Sequence, residues 1–145
     1  MQIHLAESEP ELRDCFPVMH VLRPHLTEAG FVERVRRQRQ YGYQLAVLHD
    51  GGEPQTVAGF RIAESLAWGR HVYVDDLVTR EASQSHGYGQ KMFDWLVAWA
   101  IQEDCEQFHL DSGSWRHAAH RFYLMKRMDL TSFHFTLVLR RPTPA

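Results

Sequence analysis

The first forty residues carry apolar side chains at helical spacing. Ser8 followed by Glu9-Pro10-Glu11 is typical of a helix start. Pro17 lies inside the pattern and could kink or shorten the helix. A second helix is predicted to open at Thr27 and to end near Tyr41. The apolar stripe of the first helix consists of Leu12, Phe16, Met19 and Leu22.

The spacing then changes to that of β-strands. Strands are predicted over residues 43–48, 56–63 and 71–79, which are rich in Val, Leu and Tyr. Asp50-Gly51-Gly52 predicts a hairpin turn between the first two, because these residues tolerate positive φ. Trp68-Gly69-Arg70 indicates a second turn. Three consecutive antiparallel strands follow from this pattern.

The last third of the chain alternates between helical spacing and strand spacing of its apolar residues. Helices are predicted over residues 87–103 and 115–126, and strands over 107–110 and 132–139. A short strand could start the chain at Ile3 to Leu5, so the element order is β-α-α-β-β-β-α-β-α-β. A β-α-β crossover joins parallel strands and is right-handed. The predicted fold class is α/β (α+β by another convention), with a mixed central sheet of about six strands flanked by helices.

Length, composition and charge favour one globular domain. The chain has 145 residues, 44% of them hydrophobic, and a formal net charge of −2. We expect one domain over residues 1–139 and a tail over 140–145. With neither a signal peptide nor an apolar run of about 18 residues, a cytoplasmic protein that does not enter the membrane is expected. Cys15 and Cys105 are expected to be reduced thiols, and no spacing of histidines or cysteines predicts a metal site.

Basic residues cluster at one place only. Four arginines lie on the second predicted helix, and this run indicates a solvated helix face rather than a nucleic-acid footprint, which needs a larger basic surface. No nucleic-acid partner is expected. A protein-interaction role of this face is the weakest alternative, since charge clustering is its only support. The cluster consists of Arg34, Arg36, Arg37 and Arg39.

The strongest chemical signal is a glycine-bearing loop between a strand and a helix. Gln84-Ser85-His86-Gly87-Tyr88-Gly89 leads into the helix that starts near residue 87. A helix N-terminus presents unpaired N–H groups and about half a positive charge, and glycines allow close approach of an anion. The loop matches neither the GxxxxGK[ST] nor the GxGxxG phosphate-binding pattern. Taken alone, it fits an anion site and a merely glycine-softened helix start equally well.

Together with its surroundings, this loop resembles the GNAT superfamily of N-acetyltransferases. The family motif is [Gln/Arg]-x-x-Gly-x-[Gly/Ala], and Gln84 to Gly89 match it. The preceding strand and a later helix with Ala119-x-x-Phe122-Tyr123 agree as well. Ser85, Arg116 and Arg127 depart from residues common in the family, which are a glycine, an asparagine and a glycine.

The resemblance implies a cofactor and a place for it. Loop amides would bind the pyrophosphate of acetyl-CoA, which acts as co-substrate, and the pantetheine arm would pair with the central strand where it splays from its neighbour. A strand N–H there could polarise the thioester carbonyl. The implied cofactor-binding residues are Leu77, Val78, Thr79, Gln84, Ser85, His86, Gly87, Tyr88, Gly89 and Gln90.

Acetyl transfer to an amine also needs a base and an acid. Tyr123 matches the family's catalytic tyrosine and is the candidate acid for the departing thiolate. Asp75 is the candidate base, directly or through water, and Asp76 is its neighbour. If the strand is regular, the two carboxylates face opposite sides, so only one can face the acceptor. Either aspartate could instead anchor a loop or a cationic substrate.

The predicted function is therefore N-acetyl transfer from acetyl-CoA to a primary amine of a small molecule or peptide, by direct attack in a ternary complex. The alternative is an acyl-CoA-binding sensor that has lost catalysis. A homodimer is expected only from the general frequency of dimers. Which amine is acetylated does not follow from these residues.

Overall fold

The computed structural model describes residues 1–141. Its elements follow the predicted order as far as the last helix. Residues 142–145, the end of the predicted tail, lie outside the described residues. The elements are β1 (Gln2–Leu5), α1 (Glu9–Leu22), α2 (Glu28–Arg39), β2 (Gln44–Asp50), β3 (Glu53–Ser65), β4 (Gly69–Thr79), α3 (Tyr88–Gln102), β5 (Gln107–Leu110) and α4 (His117–Met125).

The described residues form two compact units, one of residues 1–109 and one that starts at Leu110. The prediction of a single domain over residues 1–139 stays a prediction. Among residues 1–141, no helix combines the length and the apolar character that a membrane crossing requires. Cys15 is buried and Cys105 is partly exposed, and both are free thiols.

The five strands form one sheet in the order β1-β2-β3-β4-β5. The first four pair as consecutive antiparallel neighbours. The predicted hairpin turn is confirmed, since Asp50 pairs with Glu53 across Gly51 and Gly52. These two glycines have φ of 62° and 81°. Positive φ at both central residues is the turn geometry that matches the twist of a hairpin.

The two faces of the sheet bury different helices. Leu45 and Val47 belong to a buried cluster with residues of α1 and α2. On the other face, the Phe60 ring packs edge-on against Trp95 and Trp99 of α3, with ring centroids 6.4 and 4.9 Å away. Successive strand residues point to opposite faces, so this division follows the alternation along each strand.

Helix α1 begins at the predicted capping signal and is not shortened by Pro17. The Ser8 N–H donates to Glu11 at 2.9 Å, and the Glu11 N–H donates to the Ser8 hydroxyl. The Ser8 N–H and the Ser8 hydroxyl both donate to the Glu11 carboxylate, and these bonds lower the pKa of Glu11 to about 2. Pro17 removes one helical donor, but the helix continues to Leu22. Burial of Leu12 and other residues on its inner face supports it across that gap.

The arginine cluster of α2 contacts the chain itself. The Arg36 guanidinium pairs with the Glu9 carboxylate of α1 at 2.6 Å. The Arg39 guanidinium donates to the carbonyls of Glu7 and Ala6. These arginines therefore join α2 to the start of α1, which is a structural role that charge clustering alone did not reveal.

A bulge in β4 changes the faces on which its residues lie. Asp76 pairs with Gly59 but Val74 pairs with Phe60, so Asp75 is an extra residue without a partner in β3. Before the bulge, Val74 lies opposite Phe60, on the face that α3 covers. After the bulge, Val78 joins the cluster with α1 and α2. An inserted residue shifts the alternation by one and produces this reversal.

In the second unit, α4 ends in a left-handed turn. Arg127 has φ of 67°. Its N–H donates to the Leu124 carbonyl at 3.0 Å, and the Met128 N–H donates to the Tyr123 carbonyl at 3.1 Å. This pair of bonds is the Schellman arrangement, in which glycine is the usual left-handed residue. Arg127 thus takes the backbone conformation that the family's common glycine would take.

The prediction of a strand over residues 132–139 was wrong, because these residues form no strand in the structure. Alternating apolar and polar residues determine which side chains could share a face. A strand exists only where its backbone pairs with a neighbour, and no pattern within one segment specifies that neighbour. The sheet therefore has five strands among residues 1–141 instead of about six.

The close packing at Gly59 can be tested by adding one methyl group. A Cβ there would lie 1.8 Å from the Tyr43 hydroxyl and 2.6 Å from Asp76 Oδ2. We expect Gly59→Ala to lower the free energy of unfolding by about 1–3 kcal/mol, because such overpacking forces neighbours to move. Urea denaturation followed by circular dichroism measures the change.

Gly89→Ala is the matched control for this stability measurement. A Cβ at Gly89 would meet only Thr79 Oγ1, at an ordinary 3.5 Å. In the first turn of a helix, alanine should be neutral or stabilising. Equal stability of the two variants would contradict the packing described at Gly59.

Candidate active site

The loop between β4 and α3 has an unusual backbone path. After Thr79, the Arg80 N–H donates to the Gln55 carbonyl at 2.8 Å. A short 3₁₀ turn follows over Glu81–Ser83. Ser85 then has φ of 69° and Gly87 has φ of 80°. Both values lie in the left-handed region, which explains why glycine is common at the position of Ser85 in related loops.

The start of α3 leaves backbone donors available. Gly87 occupies the N-cap position, and no side-chain cap hydrogen bond forms there. The first helical bond runs from the Lys91 N–H to the Gly87 carbonyl, at 3.1 Å. The amides of Tyr88, Gly89 and Gln90 precede that bond and have no acceptor within the helix. Together with the helix dipole, they favour an anion at this point.

The two glycines serve this site in different ways. A Cβ at Gly87 would meet nothing within 4 Å, so the space above the loop is open and only the positive φ calls for glycine. Gly89 instead lies against Thr79, whose hydroxyl shares a 2.9 Å hydrogen bond with the Thr56 hydroxyl. The helix start is therefore held beside the end of β4 and is open above Gly87. This arrangement suits an anion at the helix start.

Two polar side chains of the loop are engaged within the protein. The Tyr88 hydroxyl donates to Asp50 Oδ2 at 2.7 Å. That bond raises the pKa of Tyr88 and lowers the pKa of Asp50. His86 Nδ1 lies 3.1 Å from the Ser83 carbonyl and 3.0 Å from the Gln84 carbonyl. These contacts hold the two side chains to the protein itself, so the groups that the loop offers to an anion are its backbone amides.

The bulge brings both aspartates of β4 to the α1/α2 face. Asp76 Oδ1 accepts from Arg23 Nε at 2.9 Å, and Asp76 Oδ2 accepts from the Tyr43 hydroxyl at 2.8 Å. Asp75 Oδ2 accepts from Arg61 Nε at 2.9 Å. The strand is not regular here, so the two carboxylates do not face opposite sides as they would in a regular strand. Both therefore join one polar network.

The two carboxylates differ in how many of their oxygens accept hydrogen bonds. Both oxygens of Asp76 are occupied, whereas Asp75 Oδ1 has no hydrogen-bond donor among residues 1–141. Burial raises the pKa of Asp75, although the Arg61 guanidinium opposes that rise. Burial, with the charge of Asp76, raises the pKa of Tyr43 well above its usual value, so the tyrosine keeps its proton and acts as a donor. Asp75 is thus the better placed of the two to accept a proton.

Tyr123, the third predicted catalytic residue, lies in α4 of the second unit. Its ring packs edge-on against Phe122, with ring centroids 5.5 Å apart. Burial raises the pKa of Tyr123 although Arg116 opposes the rise. Its hydroxyl therefore stays protonated at neutral pH, as a proton donor must.

Sequence reasoning missed four residues of this site. Arg23, Tyr43 and Arg61 form the network, and Gly59 provides room for it. One signal was present in the sequence: Arg61 is the one charged residue in the run from Val57 to Ala63. Within residues 1–141, no group of three or more His, Cys, Asp or Glu side chains could hold a metal ion.

The protein is an α/β protein with a mixed sheet, in which an open helix start lies beside a bulged strand. Within that class, residues 7–128 match the model of the acetyltransferase (GNAT) family. The chain is 30% identical over 127 residues to the uncharacterized N-acetyltransferase YhdJ of Bacillus subtilis (strain 168), covering 86% of this chain and 89% of that one. This protein belongs to the GNAT acetyltransferase family.

Solved structures share the fold. A transcriptional regulator from Bacillus halodurans C-125 superposes with a TM-score of 0.84 at 16% identity, over 95% of this chain and 99% of the other. A GNAT family acetyltransferase from Staphylococcus aureus subsp. aureus superposes with a TM-score of 0.80 at 14% identity, over 95% and 98%. At these identities the likeness concerns the fold alone. The predicted fold class and family are confirmed.

Proposed function

We propose that this protein transfers the acetyl group of acetyl-CoA to a primary amine of a small molecule or peptide, by direct attack in a ternary complex. One observation carries the proposal: the open start of α3 lies against Thr79, a few residues beyond the polar network at Asp75. In this proposal the diphosphate site and the proton acceptor lie at the two ends of one short strand segment. Acetyl-CoA is the co-substrate of the family.

In this proposal the cofactor is held by backbone groups. The amides of residues 84–90 bind the pyrophosphate, and the strand segment Leu77 to Thr79 pairs with the pantetheine arm. One of the strand N–H groups polarises the thioester carbonyl. The closeness of Gly89 to Thr79 supports this arrangement, because it places both sets of amides beside one another.

The chemistry requires two proton movements. The amine nitrogen forms the new bond to the acetyl carbon and loses a proton to Asp75, directly or through water. The carbon–sulfur bond breaks, and Tyr123 donates a proton to the sulfur, so the products are an amide and coenzyme A. The unoccupied Oδ1 of Asp75 and the raised pKa of Tyr123 support these roles. Asp76 positions Arg23 and Tyr43.

The cofactor site can be tested with one substitution at the helix start. In Gly87→Glu, a carboxylate would project into the open space above the loop and face the amides that bind the pyrophosphate. We expect coenzyme A binding, measured by titration calorimetry, to weaken by at least roughly 100-fold. Gln102→Glu places the same charge change at the last residue of α3, roughly 20 Å along its axis. That control should bind like the parent, and unchanged binding by Gly87→Glu would contradict the site.

The role of Asp75 predicts a pH effect. A base must be ionised, and burial raises the pKa of Asp75 above its usual value of 3.8. The rate should therefore fall as pH drops through that raised pKa. In Asp75→Asn we expect kcat/KM to fall by roughly 10²–10⁴ and this acidic limb to disappear.

Two variants make the pH experiment specific. Asp76→Asn should lower the rate but keep the acidic limb, because its partners are displaced while the base remains. Asp14→Asn, on the exposed side of α1, should leave the profile unchanged. A parental profile for Asp75→Asn would remove Asp75 from the mechanism.

The role of Tyr123 predicts a loss of turnover without a loss of binding. Tyr123→Phe keeps the ring but removes the proton donor, so we expect kcat to fall by roughly 10²-fold or more. Coenzyme A affinity should stay within about twofold, since the hydroxyl is not assigned to cofactor binding. Tyr41→Phe, at an exposed turn, is the matched control.

Two measurements distinguish the enzyme from the alternative, an acyl-CoA-binding sensor. Thiol release from acetyl-CoA over a panel of primary amines reports catalysis, and calorimetry reports binding. Tight coenzyme A binding with no thiol release for any amine would favour the sensor over the enzyme.

A further inference from the structure

The tip of the β2–β3 hairpin contacts the segment that leads into α3. The register between the two strands shifts at Gln55, which is the extra residue of a bulge in β3. Its side-chain amide joins the hairpin to that segment. Gln55 Nε2 donates to the Asp50 carbonyl at 3.1 Å, and Gln55 Oε1 accepts from the Ser83 hydroxyl. Ser83 ends the short 3₁₀ turn that precedes the glycine loop, residues 84–89.

The same hairpin also contacts the other end of this segment. Asp50 Oδ2 accepts from the Tyr88 hydroxyl at 2.7 Å, and Tyr88 is the first residue of α3. Ser83 and Tyr88 therefore donate to one hairpin tip from both sides of residues 84–87. Because Asp50 and Gln55 are themselves hydrogen-bonded, the two contacts belong to one unit.

The segment between these two contacts has a costly backbone conformation. Ser85 has φ of 69° and Gly87 has φ of 80°. A residue other than glycine adopts the left-handed region only at a cost in free energy, so the local preference of Ser85 does not select this path. Contacts from outside the segment must stabilise it, and the hairpin side chains supply such contacts at both ends.

The charge of Asp50 distinguishes an anchoring role from an electrostatic one. A carboxylate near a site for an anion opposes the binding of that anion. The hydrogen bond from the Tyr88 hydroxyl is the main cause that lowers the pKa of Asp50, so the carboxylate stays ionised at neutral pH. An ionised acceptor makes a stronger hydrogen bond than a neutral one, which favours an anchoring role for Asp50.

We infer that Asp50 and Gln55 are positioning residues, which hold the glycine loop in the shape that binds a diphosphate. They act through Tyr88 and Ser83 rather than by contact with the donor. This inference rests on the proposed function. It implies that the hairpin tip contributes to the preference for an acyl donor that carries a diphosphate, and contributes nothing to a donor that lacks one.

The coenzyme A affinity of the full chain, measured by titration calorimetry, tests the two anchors. In Asp50→Ala and in Gln55→Ala we expect the dissociation constant to rise roughly 5- to 50-fold, because each change frees one end of the loop. Asp50→Asn keeps an oxygen that accepts from the Tyr88 hydroxyl and should bind within about twofold of the parent. Charge alone predicts the opposite for Asp50→Ala, because loss of a negative charge tightens the binding of an anion. Parental or tighter binding by both alanine variants would overturn the inference.

A donor without the diphosphate separates positioning from a general structural defect. S-acetylpantetheine carries the thioester and the pantetheine arm of acetyl-CoA but no diphosphate. In the thiol-release assay, kcat/KM for acetyl-CoA should fall in Asp50→Ala, whereas kcat/KM for S-acetylpantetheine should stay within about twofold of the parent. An equal fall for both donors would contradict the inference.

Glu53→Ala is the matched control, since it removes the same charge from the same hairpin. The Glu53 carboxylate is exposed and pairs with Arg80 at 3.4 Å, and such a surface ion pair contributes little. This variant should keep the parental values for coenzyme A and for both donors.

A double-mutant cycle assigns the effect of Asp50 to the Tyr88 hydroxyl. The Asp50 carboxylate also accepts from the Gly51 N–H, so Asp50→Ala changes the hairpin turn as well. If Asp50 acts through Tyr88, adding Asp50→Ala to Tyr88→Phe should weaken coenzyme A binding by less than about twofold further. Full additivity of the two changes would refute the positioning role of Asp50.

The affinity of the parent keeps this inference apart from the proposed function. A parent that binds coenzyme A, with alanine variants that bind it equally well, would overturn the inference and leave the cofactor site standing. A parent that binds no coenzyme A would overturn both. If no amine turns over, the coenzyme A affinities decide the inference by themselves.

Discussion

The bulge of β4 opposite Gly59 is the constraint on which the site depends. One extra residue shifts the alternation of the strand, so Asp75 and Asp76 both lie on the face that α1 and α2 cover. Tyr43 can reach Asp76 only because Gly59 has no side chain. A local irregularity of the backbone thus creates a polar network inside an otherwise apolar face, which fits the frequent occurrence of bulges at functional sites.

Left-handed residues at helix ends form a second set of constraints. Ser85 and Arg127 stand where related sequences often have glycine, and both adopt the conformation that makes glycine common there. Neither residue prevents the left-handed conformation, which a residue other than glycine adopts at a modest cost in strain. Gly87 has the same conformation at the start of α3, where a Cβ would meet nothing within 4 Å and the first amides precede the helical hydrogen bonds.

Charged residues in this protein are largely used internally. Arg36 and Arg39 connect α2 to the start of α1, while Arg23 and Arg61 hold the two aspartates of β4. A run of arginines in the sequence therefore does not describe the surface that a partner would meet. The charge that a ligand meets is what remains after these internal pairs are formed.

The order of elements up to α4, the hairpin turn, the helix start at Ser8 and the glycine loop could be predicted from the sequence, because each depends on residues close along the chain. The faces of Asp75 and Asp76 were not, since the bulge arises from pairing between β3 and β4. Arg23, Tyr43 and Arg61 became site residues only when distant segments met at those aspartates. The prediction of a sixth strand was wrong for the same reason. The alternation within residues 132–139 is a local pattern, whereas a strand needs a neighbouring strand to pair with. Only the tertiary structure decides whether that neighbour is present.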